Sequence, residues 1–328
     1  NSLFITNDDY KKVYNLLSQY DFDNEPDLDQ EISNCDISNY LTLFETLYIL
    51  LKRKVIDLST LDDLFAYRFF LAVHNPYIQR KKLACSPKNF KNIFRLERMW
   101  LNYRKAHHEK ENYFGPSYHL IARSDLDAYL SVFDDKTQKK IQKSLKVTPI
   151  LETYTFEPLD INDFDQINDM QRKAVNEMDQ IKKGVLRAND ETMMKSCLIA
   201  PHEGVKVMSE GQMIAFGILY DPSAEPHESL LKDIDVEKFP QFRTLNTKDT
   251  LQIKLVIVDP NHRKKHLQVH INQYLEKLAK EKGKTCLLTT VSPLNHASVI
   301  NTKKSGFNYV RSLSKYQGAI RMIYAKFI

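Results

Sequence analysis

Between an apolar run and a long amphipathic stretch the chain reads VDPNHRKKHLQ, residues 258–268. Arg263, Lys264 and Lys265 put three positive charges where a strand ends, the chain turns and a helix starts. That is a place to hold a phosphate, because the first N–H groups of a helix lack intrahelical partners and its dipole is positive there. Turns of this kind usually carry glycine, which lets backbone come close to the anion. This one carries His266 and Gln268 instead. His262, His266 and His270 recur at a four-residue spacing, which raises a metal site. A zinc-binding HExxH pattern needs glutamate beside the first histidine, but Arg263 stands there and two adjacent lysines repel a cation. The expectation is an anion site, with no metal.

The elements that must position this loop alternate. ETYTFEPL reads as a strand, and DINDFDQINDMQRKAVNEM as a helix with Phe164, Ile167, Met170 and Ala174 on one face. A second helix is expected over NDETMMKSCLIA. GVKVMSEGQMIAFGILYDP then reads as two strands joined by a tight turn at Glu210-Gly211. A charged insertion over 221–249 precedes LQIKLVIVDP, the clearest strand, and a helix is expected from about 264 to 282, ended by Gly283. That helix turns Leu267, Ile271, Tyr274, Leu275 and Leu278 inward. KTCLLTTVSP reads as a buried strand and NHASVINTKKSGF as a short helix closed by Gly306; two strands finish the chain. The order predicts a mixed α/β sheet with helices packed against it.

These stretches resemble the GNAT superfamily of N-acetyltransferases over roughly residues 152–328. LVIVDPNHRKKHLQ is similar to the family's fourth strand and cofactor loop, whose pattern is Arg or Gln, two residues, Gly, one residue, then Gly or Ala. VSPLNHASVINTKKSGF resembles the fifth strand and following helix, and KYQGAIRMIYAKFI the final hairpin. The resemblance implies acetyl-CoA as co-substrate, its pantetheine arm lying between two splayed strands. The backbone of Val256, Ile257 and Val258 would then pair with the pantetheine amides as a missing strand does. Arg263, Lys264, Lys265, His266, Leu267 and Gln268 would form the pyrophosphate loop, with Asn295 and Ser298 on the cofactor arm. The sequence departs from the pattern at both small positions, 266 and 268. Where many members carry a tyrosine acid, four residues beyond the serine, this chain has Thr302. Tyr309, Tyr316 and Tyr324 are alternatives that sequence cannot place, so no catalytic residue is assigned. Cys286, inside a strand, is a poor nucleophile.

The N-terminal third reads as an all-helical bundle over 1–106. Residues 7–20 suggest a short helix. ISNYLTLFETLYILLKRKV aligns Phe44, Tyr48, Leu51 and Val55, and STLDDLFAYRFFLAVHNP follows with Ser59 as its N-cap. SPKNFKNIFRLERMWLNYRK has Ser86 as cap, Pro87 at the first helical position, and Ile93, Leu96, Trp100 and Tyr103 on one face. The basic runs Lys52-Arg53-Lys54 and Arg80-Lys81-Lys82 read as helix-end charges. Residues 107–150 are expected to be a polar linker, with His107-His108 on its surface, followed by a basic helix. No catalytic constellation appears here; a regulatory role or a protein partner is the expectation.

The bulk numbers fit two domains in 328 residues, with 42% hydrophobic and 27% charged residues and a net charge of +5. So mild a charge suits an anionic small molecule better than a nucleic-acid surface. The four cysteines, Cys35, Cys85, Cys197 and Cys286, lie far apart, which argues for reduced thiols in a cytoplasm. The nearest approach to a membrane span, LTLFETLYILL, is short and broken by Glu45. Nothing resembles a secretory signal, and Asn1-Ser2 without methionine reads as a remnant of expression. The function expected is acetyl transfer from acetyl-CoA to a primary amine. The alternatives are a GNAT-like coenzyme A-binding or scaffold protein without turnover and, last, a nucleic-acid-binding protein acting through the helical domain.

Overall fold

A computed structural model describes residues 8–22, 26–108, 113–150, 153–181, 186, 189–315 and 318–328. The chain falls into two compact units, Asn1–Ser144 and Leu145–Ile328.

The first unit is helical. Helix α1 (Asp8–Ser18) buries Val13 and Leu17. Helix α2 (Asn34–Lys52) starts in a reciprocal cap: Ser33 Oγ accepts the Asp36 N–H and the Asp36 carboxylate accepts the Ser33 N–H, both at 3.1 Å. Such a cap contributes about 1 kcal/mol. The inward face of α2 is Ile37, Tyr40, Leu41, Phe44 and Leu47. This corrects the expected stripe, because the helix ends at Lys52 and leaves Val55 68% exposed. Helix α3 (Leu58–Val73) is capped by Asp57, whose carboxylate takes the Thr60 N–H at 2.7 Å, rather than by Ser59. Asp57 holds the extended backbone a cap needs, whereas Ser59 already lies in the first turn.

Pro87 opens a 3-10 turn, Pro87–Phe90, ahead of α4 (Lys91–Ala106), and Ser86 makes no capping bond. Ile93, Leu96 and Trp100 are fully buried. Asp62 of α3 accepts hydrogen bonds from Trp100 Nε1 at 2.6 Å and Arg104 at 2.9 Å, locking α3 to α4. The stretch read as a linker carries core instead: Tyr118, Leu120, Tyr129 and Leu130 are buried, as is Ile141 of α5 (Asp135–Leu145). Residues 109–112 of that stretch lie outside the described residues.

The second unit is a seven-stranded sheet in the order β1-β2-β3-β4-β5-β7-β6. The strands are β1 (Thr155–Pro158), β2 (Glu203–Ser209), β3 (Gln212–Tyr220), β4 (Thr250–Val258), β5 (Cys286–Val291), β6 (Asn308–Lys315) and β7 (Ala319–Phe327). All neighbours are antiparallel except β4 and β5. Glu210 and Gly211, at φ 50° and 78°, make the β2–β3 turn, since a two-residue hairpin matching strand twist needs positive φ at both positions. On one face of the sheet, α6 (Phe164–Ile181) and α7 (Glu191–Ser196) bury Ile167, Ala174 and Met194 against Phe216, Ile218 and Leu255.

Against β3 the chain also packs α8 (Leu267–Glu281) so closely that a Cβ on Gly217 would stand 2.4 Å from Ile271 Cγ2. Helix α9 (His296–Lys304) follows β5. The insertion 221–249 buries Leu230, Ile234 and Phe242 against Cys286, Leu288 and Ile323 of β5 and β7, so it is a layer of the fold.

Candidate active site at a parted pair of strands

Strands β4 and β5 pair in parallel only from Thr250↔Cys286 to Ile253↔Thr289, although β4 runs on to Val258 and β5 to Val291. The other edge of β4 is irregular at the same point. Ile218 pairs with Leu255 and Leu219 with Ile253, so Lys254 is an extra, unpaired residue. A bulge of this kind bends the strand that carries it and sharpens its twist. Beyond Ile253, β4 keeps β3 on one side and, among the described residues, has no strand partner on the β5 side, which leaves peptide groups open to an extended ligand.

The gap is a cavity of about 290 Å³. Of the residues singled out by sequence, Val256, Gln268, Asn295 and Ser298 line it, as does Thr302. Ile257 and Val258 lie further along β4 and do not. Sequence reasoning missed Asn272, Thr289 and Arg321 on the wall. Asn272 is 4% exposed; its Nδ2 donates to Ser305 Oγ at 2.9 Å, while its Oδ1 has no hydrogen-bond partner among the described residues. A buried acceptor without a donor is costly, and a ligand N–H entering the cavity would satisfy it. Asn272 carries no signal in the sequence beyond being a polar residue within the inward stripe of an amphipathic helix.

The basic loop differs from its expected form. Helix α8 starts at Leu267, not Lys264, because Lys264 and His266 both take left-handed backbone, φ 65° and 57°. Non-glycine residues rarely adopt that region, and two of them in three positions mark a loop held by its surroundings. His266 is the N-cap residue, with φ 57° and ψ 18°, and no side chain caps the helix. It therefore has the backbone a glycine would supply.

The side chains of the loop are unequally free. Arg263 is bound in two-pronged fashion by Glu177 of α6, at 2.6 and 2.8 Å. Lys265 Nζ donates to Tyr154 Oη at 2.9 Å. Leu267 is buried at 2% exposure. Lys264 is exposed and has no ion pair or hydrogen bond among the described residues. Of three expected phosphate-binding cations, one is unengaged.

The histidines tie down the segment that leads into β1. His266 Nδ1 accepts the Thr148 N–H at 3.2 Å, and His270 Nε2 donates to the Thr148 carbonyl at 2.9 Å. His262 Nδ1 lies 3.3 Å from Tyr154 Oη. The other His266 nitrogen is 3.1 Å from Lys304 Nζ. A neutral imidazole has one acceptor nitrogen, so only one of the two His266 contacts is a full hydrogen bond. Burial, then the nearby Lys304 and His270, holds the His266 pKa below its usual value. Among the described residues no group of three His, Cys, Asp or Glu side chains is placed to hold a metal ion.

Gln268 fills its site by bridging helices. Its Nε2 donates to Ser298 Oγ at 2.9 Å, and its Oε1 accepts from Asn301 at 3.1 Å. Asn295 caps α9 by taking the Ser298 N–H at 3.1 Å. Of the tyrosines weighed as acids, Tyr324 is fully buried with its hydroxyl toward Met322 Sδ, and Tyr309 pairs with Ser312. Neither lines the cavity, and Tyr316 lies outside the described residues. Burial pushes the Cys286 thiol up to about 12, which removes it as a nucleophile.

No family model matches the chain, and no curated protein does. Among solved structures it is similar to yncA, a putative acetyltransferase from Salmonella typhimurium with its cofactor acetyl-CoA. The identity is 14%, over 53% of this chain and 93% of that one, at a TM-score of 0.39. The ribosomal-protein-S18-alanine N-acetyltransferase of Escherichia coli matches at 16% identity over 53% and 94% of the two chains, TM-score 0.39. Arabidopsis thaliana NAA60 in complex with a bisubstrate analogue matches at 15% over 54% and 99%, TM-score 0.41. The likeness leaves the helical unit unmatched.

Proposed function

We propose that the chain is an acetyl-CoA-dependent N-acetyltransferase of the GNAT type that acetylates a primary amine. The observation that carries this reading is the parting of β4 from β5 after Ile253 and Thr289, with a cavity in the gap. Three features fit the thioester co-substrate. The open peptide groups of β4 from Lys254 to Val258 match an arm that carries amides. Asn272 offers a buried acceptor with no partner among the described residues. The uncapped start of α8, flanked by Lys264, supplies N–H groups and positive charge for a diphosphate. The thioester supplies an activated acetyl group, and the protein's task is to hold it against a neutral amine.

A second reading, a coenzyme A-binding protein without turnover, is favoured by one observation. Thr302 stands on the cavity wall at the place expected for an acid, and its hydroxyl is a poor one. A thiolate leaving group needs little acid assistance, so positioning alone can suffice. Among the described residues no helix is long and apolar enough to cross a membrane. A cytoplasmic setting and a protein partner for the helical unit belong to this proposal too, and a nucleic-acid role ranks last. The test is calorimetric titration with acetyl-CoA, followed by thiol release across a panel of amines. Micromolar binding with turnover is expected. Binding without thiol release for any amine selects the silent binder, and absence of binding refutes both.

A further inference from the structure

A second cavity, of about 220 Å³, opens where β4 leaves β5. It shares Glu228, Ile253, Lys254 and Thr290 with the first, so the two meet at the parting of the strands. Its charges are uneven: Lys232, Lys254 and Lys315 line it, against Glu228 as the sole carboxylate among its lining residues. Lys315 is paired with Asp233 at 2.5 Å. Lys232 donates to the His227 carbonyl, a contact that leaves its charge uncompensated. Lys254, the bulged residue, holds its ammonium 4.0 Å over the Tyr220 ring and 3.2 Å from Met193 Sδ, with no ion pair among the described residues. An aromatic face fixes a cation in place without neutralising it.

Resting on the acetyltransferase reading above, we propose that this second cavity receives the acceptor, a small primary amine that also carries an anionic group. Its ammonium faces Glu228 at the shared boundary, and its anion faces Lys232, beside the Lys315–Asp233 pair. A cavity of about 220 Å³ is below the usual range for drug-sized ligands and suits a molecule of amino-acid size. A di- or polyamine would carry its second cation into the lysines. A neutral amino alcohol would leave the charge of Lys232 unanswered, whereas a cleft rich in one sign concentrates ligands of the other. The same pattern serves the chemistry. Lys254 beside the bound amine favours its neutral, nucleophilic form. The ammonium gives one proton to Glu228, the amine nitrogen bonds to the thioester carbonyl carbon, the carbon–sulfur bond breaks, and the thiolate takes the second proton.

The test uses the full chain and two readouts. Calorimetry first establishes acetyl-CoA binding. Thiol release is then compared for glycine and β-alanine against ethanolamine and 3-aminopropanol, with 1,3-diaminopropane as the cationic member. Aminopropylphosphonate separates recognition of carboxylate from recognition of phosphorus oxyanions. At least tenfold higher kcat/KM for an anionic member than for its neutral counterpart is expected. The exposed Lys232→Glu substitution should lower that preference by about tenfold with acetyl-CoA affinity unchanged. Equal rates, a preference for the diamine, or no turnover of any anionic member while acetyl-CoA binds overturns the proposal. Failure of acetyl-CoA to bind the folded protein instead removes the reading beneath it, and the proposal with it.

Discussion

Lys264→Glu separates the one unengaged cation of the loop from its neighbours. Lys264 is exposed, lacks a partner among the described residues, and stands three residues before the first residue of α8. Its replacement should leave the unfolding temperature unchanged, because surface changes away from caps and pairs rarely alter stability. Left-handed backbone at 264 is no easier for lysine than for glutamate, so strain does not change either. Binding is another matter. Two unit charges about 4 Å apart in water interact by about 1 kcal/mol, so reversing one against a diphosphate costs about 2 kcal/mol, roughly thirtyfold in Kd. The loss should shrink as salt is raised, since exposed charges are screened over roughly 10 Å at moderate ionic strength. Calorimetric titration with acetyl-CoA at low and physiological salt reads both effects. Arg263→Ala is the contrast: Arg263 is committed to Glu177, so its loss should loosen the loop's tie to α6 and lower the unfolding temperature. A Kd within twofold of wild type for Lys264→Glu, at low salt, would refute the assignment of the diphosphate to this helix start.

Three further outcomes follow from the packing. Gly217→Ala puts a methyl 2.4 Å from Ile271 Cγ2 and 3.2 Å from Leu275 Cδ1, and overpacking of this kind costs about 1–3 kcal/mol in urea unfolding. Ile271→Val should recover part of that, and a silent Gly217→Ala would show that β3 and α8 are not pressed together. In the first unit, Glu97 Oε1 accepts from the Leu120 N–H at 2.9 Å and faces His74 Nε2 at 3.0 Å, all buried. Glu97→Ala should therefore destabilise by about 3 kcal/mol and Glu97→Gln by less, since an amide oxygen can still accept; equal losses would contradict this. For pH, burial and then Lys254 hold His202 below its ordinary 6.5, and its Nδ1 takes the Asp221 N–H at 3.0 Å. The unfolded chain then binds the proton more readily, so this stability is present above pH 6.5 and falls as pH drops through 6.5 toward the folded value. Melting curves at about pH 7.5 and about pH 5.5 should show a smaller acid loss for His202→Asn than for wild type, and identical losses would exclude His202 as a source.

The succession of strands along the second unit was legible because period-two alternation and turn residues are local signals, and Glu210-Gly211 turned out to be the turn they indicate. Caps were read less well. Asp57 displaced Ser59 because both can cap, and only the backbone decides which residue is extended. The stripe ending at Val55 failed for a related reason: periodicity does not say where a helix stops. The bulge at Lys254 left no trace at all. It is a property of how β3 and β4 pair, and the apolar run LQIKLVIV reads the same with or without it.

The loop shows most clearly what a sequence pattern can conceal. The sequence departs from the glycine pattern at both 266 and 268, yet the two positions differ in what they need. Gln268 lies within α8, where any residue keeps helical backbone, and its side chain is turned onto Ser298 and Asn301. His266 does hold the left-handed conformation that disfavours a side chain, at a cost of about 1–2 kcal/mol. A hydrogen bond to the Thr148 N–H contributes about 0.5–1.5 kcal/mol in return. That bond also binds the segment before β1 to the start of α8, a link a glycine could not make. The glycine's conformation is thus reached by tertiary contact with a residue 118 positions away, and no local reading of RKKHLQ contains that partner.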